Sequence, residues 1–270
     1  TEKVIDYLPK STVMMGVPTF YTRLIESNKL NIQITKNIRV FISGSAPLLS
    51  ETHKEFESLT GHKILERYGM TETNMNTSNP YDGERRAGTV GFPLPGIKIR
   101  IIDTEKNHKM ASEKIGMIEI KGENVFEGYW KMSDKTKESF TDDGYFVTGD
   151  LGKFSSDGYL SIIGRNKDLI ISGGLNIYPK EIEVVIDGIN NVKETAVIGV
   201  THKDFGEAVV AVVVADREKV SESSIMEIVQ TKLAKFKQPK KIIFVNALPR
   251  NAMGKVQKQN LRDNYNKLFN

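Results

Sequence analysis

The sequence predicts an α/β fold that continues into a mostly β section and ends in a small α+β unit. Strand, loop and helix alternate along residues 12–61, which is the order of a layered sheet. Short strand-like segments between Gly-, Asp- and Pro-rich turns fill residues 63–160, which is typical of a β-rich subdomain. Helices and strands alternate again after residue 166. We therefore expect one domain over residues 1–166 and a second over residues 167–270.

In the first section the predicted strands are Thr12–Met15 and Ile38–Ile42, and the predicted helices run from Pro18 to Leu30 and from Ser50 to Thr60. Proline is favoured in the first turn of a helix, so Pro18 indicates a helix start. We expect Ser50 to be the N-cap of the second helix. Gly61 follows its last residue, where glycine commonly ends a helix.

In the β-rich section the predicted strands are Ile97–Ile102, Ile115–Lys121, Tyr145–Thr148 and Tyr159–Ile163, with one short helix at Ser133–Ser139. In the last unit the predicted strands are Val192–Val200, Val209–Val214 and Ile242–Val245, and the predicted helices are Pro179–Ile186, Ser221–Lys235 (Ser221 as N-cap) and one from about Val256. The longest apolar run, Ala208–Ala215, is far too short to cross a bilayer and predicts a buried strand.

Composition excludes several classes of protein. Hydrophobic residues are 39% and charged residues 27%, which excludes collagen-like, low-complexity and disordered chains. There is no cysteine, so disulfide frameworks, thiolate zinc sites and cysteine nucleophiles are excluded. The net charge is +4, but ten Lys or Arg and one acidic residue lie between residues 232 and 270. Such a tail is typical of a nucleic-acid arm, a site for phosphorylated ligands or a solvated helix face.

Two loops in the first half carry residues suited to nucleotide binding. Gly44, Ser45 and Ala46 follow a strand, and small residues let a flat ring lie against the backbone, although an ordinary βα turn has the same composition. In Tyr68–Thr73, Gly69 and Thr71 offer an N–H and a hydroxyl to phosphate, and Glu72 offers a carboxylate to Mg²⁺. The alternative for this segment is a glycine turn with a capping threonine.

Three further segments carry candidate ligand contacts. Asp150 at a predicted strand end can accept both hydroxyls of a ribose, or it is a β-turn residue. Arg165 can bond a sugar or phosphate, and Gly173-Gly174 lets a ligand or backbone approach; a charged linker and a hairpin are the alternatives. Lys255 follows Gly254 before a helix and can place its ammonium on a phosphate or carboxylate, or it is a solvated lysine.

The joint order and spacing of these segments resembles the adenylate-forming superfamily of acyl-CoA synthetases, luciferases and peptide-synthetase adenylation domains. The resemblance extends over essentially the whole chain and is greatest to malonyl-CoA synthetases. The segments that carry this subfamily resemblance are Met14–Leu24, Glu66–Thr73, Met75–Pro80 and Asp82–Gly91. The fold implied is the C-terminal part of the large adenylate-forming domain, followed by a small mobile α+β lid domain.

The resemblance implies an ATP-dependent acid–CoA ligase that forms malonyl-CoA through an acyl-adenylate, with Mg²⁺, ATP and CoA. It implies an adenine pocket with one wall of Gly44, Ser45 and Ala46 and another of Glu66, Arg67, Tyr68, Gly69 and Met70, and this second wall also borders the acyl site. The other implied contacts are Thr71 on phosphate, Glu72 on Mg²⁺, Asp150 on the ribose with Arg165 nearby, and Gly173 and Gly174 beside the CoA channel. Lys167 is the implied hinge. Lys255 is implied to bridge the substrate carboxylate and the α-phosphate in the first step only.

A dicarboxylic acid keeps one free carboxylate after activation, and the fork of an arginine matches that group. Arg85 and Arg86, shortly after Glu72, are the leading candidates, and Arg39 is a third. The alternative for each is a surface residue.

The Gly-, Ser- and Thr-rich phosphate loop of the superfamily is absent, so we expect the N-terminal half of the same protein as a partner. We also expect residues 1–270 alone to lack full activity and to expose apolar surface. A cytoplasmic location is expected, and a mitochondrial address would lie in that N-terminal half. No nucleic-acid partner or membrane span is expected. The alternatives are a CoA ligase for another short-chain, fatty or aryl acid, and a non-catalytic binding fragment.

Overall fold

Two separate units make up the chain in the computed structural model, which describes residues 1–104, 108–251 and 254–269. The units are Thr1–Ile162 and Ile163–Asn270. The predicted α/β plus α+β class is confirmed, while the functional boundary after residue 166 stays a prediction. Within the described residues, no helix is both long enough and apolar enough to cross a membrane.

The first sheet positions the loops that the sequence singled out. Its strands, in spatial order, are β1 (Val13–Gly16), β2 (Val40–Ser43), β3 (Leu65–Met70), β4 (Asn74–Ser78) and β5 (Phe92–Pro93). The accompanying helices are α1 (Glu2–Tyr7), α2 (Pro18–Ile25), α3 (Ile32–Thr35) and α4 (Ser50–Thr60). Strands β1, β2 and β3 pair in parallel, whereas β4 and β5 continue antiparallel. The carboxyl ends of β1, β2 and β3 therefore share one edge, which is where parallel α/β sheets bind ligands.

Three aromatic rings hold the helices on this sheet. Tyr21 of α2, Phe41 of β2 and Phe56 of α4 are fully buried and meet edge to face. The Tyr21 hydroxyl donates to the carbonyl of Ile42 at 2.6 Å, and burial raises the pKa of this tyrosine. The polar end of the ring is thus satisfied while its body fills the core.

The β-rich part forms a second sheet around Ile118, Ile120 and Leu160, which are fully buried. Its strands are β6 (Lys98–Ile102), β7 (Gly116–Lys121), β8 (Phe146–Phe154) and β9 (Leu160–Arg165), and α5 (Ser133–Glu138) precedes β8. Strand β8 was predicted to end at Thr148. It continues because Gly149, at φ +73°, sits in a bulge opposite the register shift in β7, and Asp150 therefore lies within the strand.

The second unit is a sheet with helices on both faces. Its elements are β10 (Ile170–Ser172), β11 (Leu175–Ile177), α6 (Pro179–Asp187), β12 (Val192–His202), β13 (Gly206–Ala215), α7 (Glu222–Lys232), β14 (Lys241–Phe244) and α8 (Lys258–Tyr265). Alternate residues of β13 enter two cores: Val209 and Val213 pack with buried residues of α6 and α7, while Val210 and Val212 pack with Leu261 of α8. This double burial explains the long apolar run.

Two predicted helices end earlier than expected. The helix from Pro18 ends at Ile25 rather than at Leu30, because Asn31 caps the separate helix α3 by accepting from two backbone N–H groups. Helix α7 ends at Lys232 rather than at Lys235.

The predicted caps have different outcomes. Ser50 is the first helical residue rather than the N-cap, which is Leu49. Ser221 is confirmed as an N-cap with a reciprocal capping box to Ser224. Gly61 is confirmed as the left-handed residue that ends α4.

Candidate functional site

A tyrosine–aspartate pair joins the first sheet to the β-rich sheet. The Tyr68 hydroxyl, on β3, donates to Asp150 Oδ2, on β8, at 2.6 Å. Asp150 is 4% exposed, and the bulge fixes its backbone, because its N–H donates to the Thr148 hydroxyl at 3.0 Å. A carboxylate oriented in this way is suited to accept ligand hydroxyls, while the tyrosine ring offers a flat face beside it.

The small-residue loop lies against β3 at the carboxyl ends of the parallel strands. Ser43, the last residue of β2, is in register with Glu66, and Glu66 Oε1 accepts the N–H of Leu48 at 3.2 Å. A Cβ on Gly44 would lie 3.4 Å from the Arg67 carbonyl oxygen and 3.7 Å from Arg67 Cγ. The loop and β3 are therefore adjacent, as the two-walled pocket requires.

Gly69 marks the closest backbone approach in this region. A Cβ there would lie 2.0 Å from the carbonyl oxygen of Asn74, so the hairpin from β3 to β4 excludes any side chain at this position. The sequence placed Tyr68–Met70 after a strand. They belong to β3 itself, and only residues 71–73 form the turn.

Glu72 is held by two contacts to the β-rich section. Its Oε1 accepts from the Tyr129 hydroxyl at 3.1 Å, and its backbone carbonyl accepts from the Phe126 N–H at 2.8 Å. Burial and the Glu72 carboxylate raise the pKa of Tyr129, which keeps the phenol protonated as a donor. Tyr129 carried no signal in the sequence, because a tyrosine in a β section is ordinary core composition.

The donor set fits a magnesium ion that is shared with phosphates. Among the described residues there is no group of three or more Asp, Glu or His side chains that could enclose a metal. Mg²⁺ in nucleotide sites commonly uses one or two carboxylates, several waters and phosphate oxygens. Glu72, fixed by Tyr129 through one oxygen and with exposed Thr71 beside it, matches that pattern.

Arg85 is committed to backbone carbonyls. Its guanidinium donates to Pro80 at 3.3 Å, to Lys63 at 2.9 Å and to Tyr81 at 2.9 Å. These bonds hold the segment after β4 and occupy all three nitrogens of the guanidinium. The structure therefore gives Arg85 an internal partner set in place of the expected substrate carboxylate.

The guanidinium of Arg86 is also bound within the protein, in this case by carboxylates. It makes a two-pronged pair with Asp157, at 3.1 and 2.7 Å, contacts Glu84, and lies 3.9 Å from the centre of the Tyr159 ring. This guanidinium holds the pKa of Asp157 down, at about 2. Exposed Arg39 contacts the Tyr81 hydroxyl at 3.4 Å.

Arg67 differs from these three arginines. It lies on β3 beside the Gly44 loop and one residue from Tyr68. In residues 1–104, 108–251 and 254–269, its guanidinium has no protein hydrogen bond or ion pair. The resemblance implies that Arg67 belongs to the wall that lines the adenine pocket and borders the acyl site. Its lack of a protein partner carries no signal in the sequence, because it depends on which side chains lie around it in the fold.

The remaining predicted residues belong to the second unit. Gly173 and Gly174, at φ +58° and +77°, form the two-residue turn between β10 and β11, and the Gly173 N–H donates to the Phe205 carbonyl at 2.8 Å. The hairpin alternative is thus correct for their local structure. Arg165 ends β9 and Lys167 lies in the following 3-10 turn, both exposed.

Lys255 has a fixed backbone and a free side chain. Its N–H donates to Asn251 Oδ1 at 2.9 Å, and its carbonyl accepts from the Asn251 N–H at 3.0 Å. The side chain is exposed, and no partner of its ammonium lies in the part of the chain that the structure describes. A cation presented in this way is available to an anionic ligand.

Comparison with known proteins identifies the family. Residues 5–130 match the family described as AMP-binding enzyme, and residues 181–255 match its C-terminal domain. A malonate–CoA ligase of Arabidopsis thaliana is 41% identical over 93% of this chain and 44% of its own length. A long-chain-fatty-acid–CoA ligase of Yersinia pestis is 34% identical over 93% of this chain and 45% of its own length. The chain spans about half the length of the curated relatives it matches.

A solved structure shows the same backbone. ATP-bound MatB from Rhodopseudomonas palustris superposes with a TM-score of 0.97 and 56% identity, covering 100% of this chain and 54% of that one. The superfamily resemblance seen in the sequence is thereby confirmed. The chain belongs to the AMP-binding, adenylate-forming family of enzymes.

Proposed function

We propose that this chain is the C-terminal half of an AMP-forming acid–CoA ligase that makes malonyl-CoA from malonate, ATP and CoA. The observation that carries the proposal is the juxtaposition around β3 of three features: Tyr68 with its bond to Asp150 of β8, the Gly44 loop, and Arg67, whose guanidinium has no protein partner among the described residues. Relatives named malonate–CoA ligase support the acid, and the missing phosphate loop would come from the N-terminal half.

The nucleotide is held by its sugar and base in this proposal. Asp150 accepts the ribose hydroxyls, with its carboxylate oriented by Tyr68, and the adenine lies between Tyr68 and the loop at Gly44. Arg165 supports the sugar, and Thr71 donates to a phosphate. Bound at Glu72, Mg²⁺ would neutralise phosphate charge as a Lewis acid.

The first chemical step joins two anions. A malonate carboxylate oxygen attacks the α-phosphorus, the bond to the β-phosphate oxygen breaks, and pyrophosphate leaves with that electron pair. The Lys255 ammonium lies between carboxylate and phosphate and offsets charge that develops in the transition state. In the second step the CoA thiol loses its proton and attacks the acyl carbon, and AMP leaves. Lys167 is the proposed hinge between the steps, and Gly173 and Gly174 border the CoA channel.

Acid selectivity is assigned to Arg67. The free carboxylate of malonate needs a cation that has no stronger protein partner, because breaking an existing pair would offset the new one. Arg85 and Arg86 already have backbone or carboxylate partners, whereas the guanidinium of Arg67 has none in the part of the chain that the structure describes. A bidentate bond from Arg67 would favour malonate over acetate.

The first test measures substrate range. The full-length protein is incubated with Mg·ATP, CoA and separately malonate, methylmalonate, succinate, acetate or benzoate, and AMP and acyl-CoA are measured. We expect malonyl-CoA to form well ahead of acetyl-CoA. Turnover with monocarboxylates alone would contradict the malonate assignment and leave the alternative of another acyl-CoA ligase.

The second test assigns the arginine. Arg67→Gln should raise the KM for malonate with little change in the Kd for ATP, whereas Arg86→Gln is the matched control and should leave the KM for malonate near wild type. Loss of malonate use in Arg86→Gln with an unaffected Arg67→Gln would reverse the assignment.

A further inference from the structure

The segment that carries Lys255 is tied to the second unit on both sides of that lysine. Arg250, before Lys255, and Val256, directly after it, form an antiparallel bridge that closes the segment. Gly254, at φ +77°, makes the left-handed step just before Lys255. The backbone bonds between Asn251 and Lys255 lie inside this closure, so the backbone of Lys255 itself is held in place.

Arg250 anchors this loop with two different groups. Its Nη1 donates to the Gly254 carbonyl at 2.6 Å, and its Nη2 pairs with the Glu194 carboxylate of β12. The guanidinium therefore holds the peptide next to Lys255 against strand β12. A lysine at position 250 would retain the charge near Glu194 but has no second fork arm to span both acceptors.

Lys258 anchors the other side. It is the first residue of α8, three residues after Lys255, and its ammonium lies 2.5 Å from Glu183 Oε1 of α6. The same oxygen accepts the N–H of Val197, in β12, at 2.9 Å. The Lys258 and Glu183 side chains are only 19% and 9% exposed, so this pair is well shielded from solvent.

Both anchors lead to β12: Arg250 pairs with its Glu194, and Glu183, the partner of Lys258, accepts from its Val197. The ammonium of Lys255 lies between these anchors in the sequence. Lys255 is exposed and its ammonium has no partner among the described residues, although the backbone on both sides is fixed. A charged group that is aimed before the reaction stabilises a transition state without reorganisation. We propose that Arg250 and Lys258 are positioning residues that aim Lys255 for the adenylate-forming step.

This inference rests on the proposed function, and it makes a claim about half-reactions. Lys255 acts in the first step only, so loss of its positioning should slow adenylate formation and leave thioester formation from a preformed adenylate intact. General destabilisation of the unit would instead slow both half-reactions and lower the unfolding temperature.

The test uses the full-length protein with Lys258→Met, Glu183→Gln and Arg250→Lys. Lys219→Met is the matched control, because it also removes a lysine from an ion pair of the second unit, with Asp216, far along the chain from Lys255. Malonate-dependent exchange of pyrophosphate into ATP reports the first half-reaction. Conversion of synthetic malonyl-adenylate and CoA to malonyl-CoA reports the second, and thermal unfolding reports the fold.

We expect the kcat of exchange to fall about tenfold to a hundredfold in the three variants, as small misplacements of catalytic groups do. The KM for ATP, the thioester rate and the Lys219→Met control should stay within about twofold of wild type, and Lys258→Arg should recover exchange. If Lys258→Met does not fold, Glu183→Gln and Arg250→Lys decide the question. Equal losses in both half-reactions, or unchanged exchange, would overturn the inference. A wild-type protein without exchange would instead refute the proposed function itself.

Discussion

Replacing Tyr68 by phenylalanine tests how the nucleotide is held. The change removes only the hydroxyl that donates to Asp150 Oδ2 at 2.6 Å and keeps the ring that forms the adenine wall. Asp150 is nearly buried, so solvent cannot freely replace the lost donor. The carboxylate would then be less well oriented toward the ribose hydroxyls.

The magnitude follows from the kind of bond that is lost. A hydrogen bond to a charged group contributes about 1.5–3 kcal/mol. At about 1.4 kcal/mol for each factor of ten, Tyr68→Phe should raise the Kd for ATP roughly tenfold to a hundredfold. The preference for ATP over 2′-deoxy-ATP should shrink as well, because the weakened group is the one that contacts the ribose.

Calorimetric titration of ATP and 2′-deoxy-ATP into the full-length protein measures both effects. Tyr159→Phe is the matched control, since that hydroxyl also makes one bond, to the Glu84 carbonyl at 2.9 Å. A Tyr68→Phe protein that folds normally, binds ATP within twofold of wild type and keeps the deoxy discrimination would refute the assignment of Asp150 to the ribose.

Two further predictions concern the fold around and beyond the site. Gly69→Ala should abolish ATP binding in titrations and lower the unfolding temperature sharply, because its Cβ would overlap the Asn74 carbonyl; Gly61→Ala, with φ +74° but open space around it, should cost only about 1–2 kcal/mol in denaturant unfolding. A Gly69→Ala protein with nearly unchanged ATP binding and unfolding temperature would contradict the close approach of the two hairpin strands. Burial raises the pKa of Asp187 to about 7, so the folded state binds a proton that the unfolded state has released, and stability should fall as pH rises from about 4 to about 7. Asp187→Asn should flatten that dependence in pH-resolved unfolding of the second unit, and an unchanged slope would contradict it.

The sequence was a good guide to the fold wherever local chemistry and burial agree. The apolar run at Ala208–Ala215 predicted a buried strand, and Gly61 predicted a helix end, because each constraint is contained in neighbouring residues. Strand β8 was predicted to end at Thr148, because a glycine followed by an aspartate is typical of a turn. The bulge that lets the strand continue is visible only in its pairing with β7.

For the candidate site, the motifs singled out Tyr68 and Asp150, which the structure brings into contact, and the roles of the site residues stay predictions. The order of the motifs placed Tyr68, Asp150 and Glu72 near nucleotide chemistry. No sequence pattern reveals that Arg86 pairs with Asp157, 71 residues away, or that Arg67 has no protein partner within residues 1–104, 108–251 and 254–269. These facts depend on long-range side-chain competition, which only the folded structure shows.

The central claim is that a malonate carboxylate attacks the α-phosphorus of ATP. It is tested most directly with malonate labelled with ¹⁸O in its carboxylates, incubated with the full-length protein, Mg·ATP and CoA, followed by mass spectrometry of the products. Attack at the α-phosphorus predicts one ¹⁸O atom in AMP and none in pyrophosphate. Unlabelled AMP, or label in inorganic phosphate accompanied by ADP, would contradict the account.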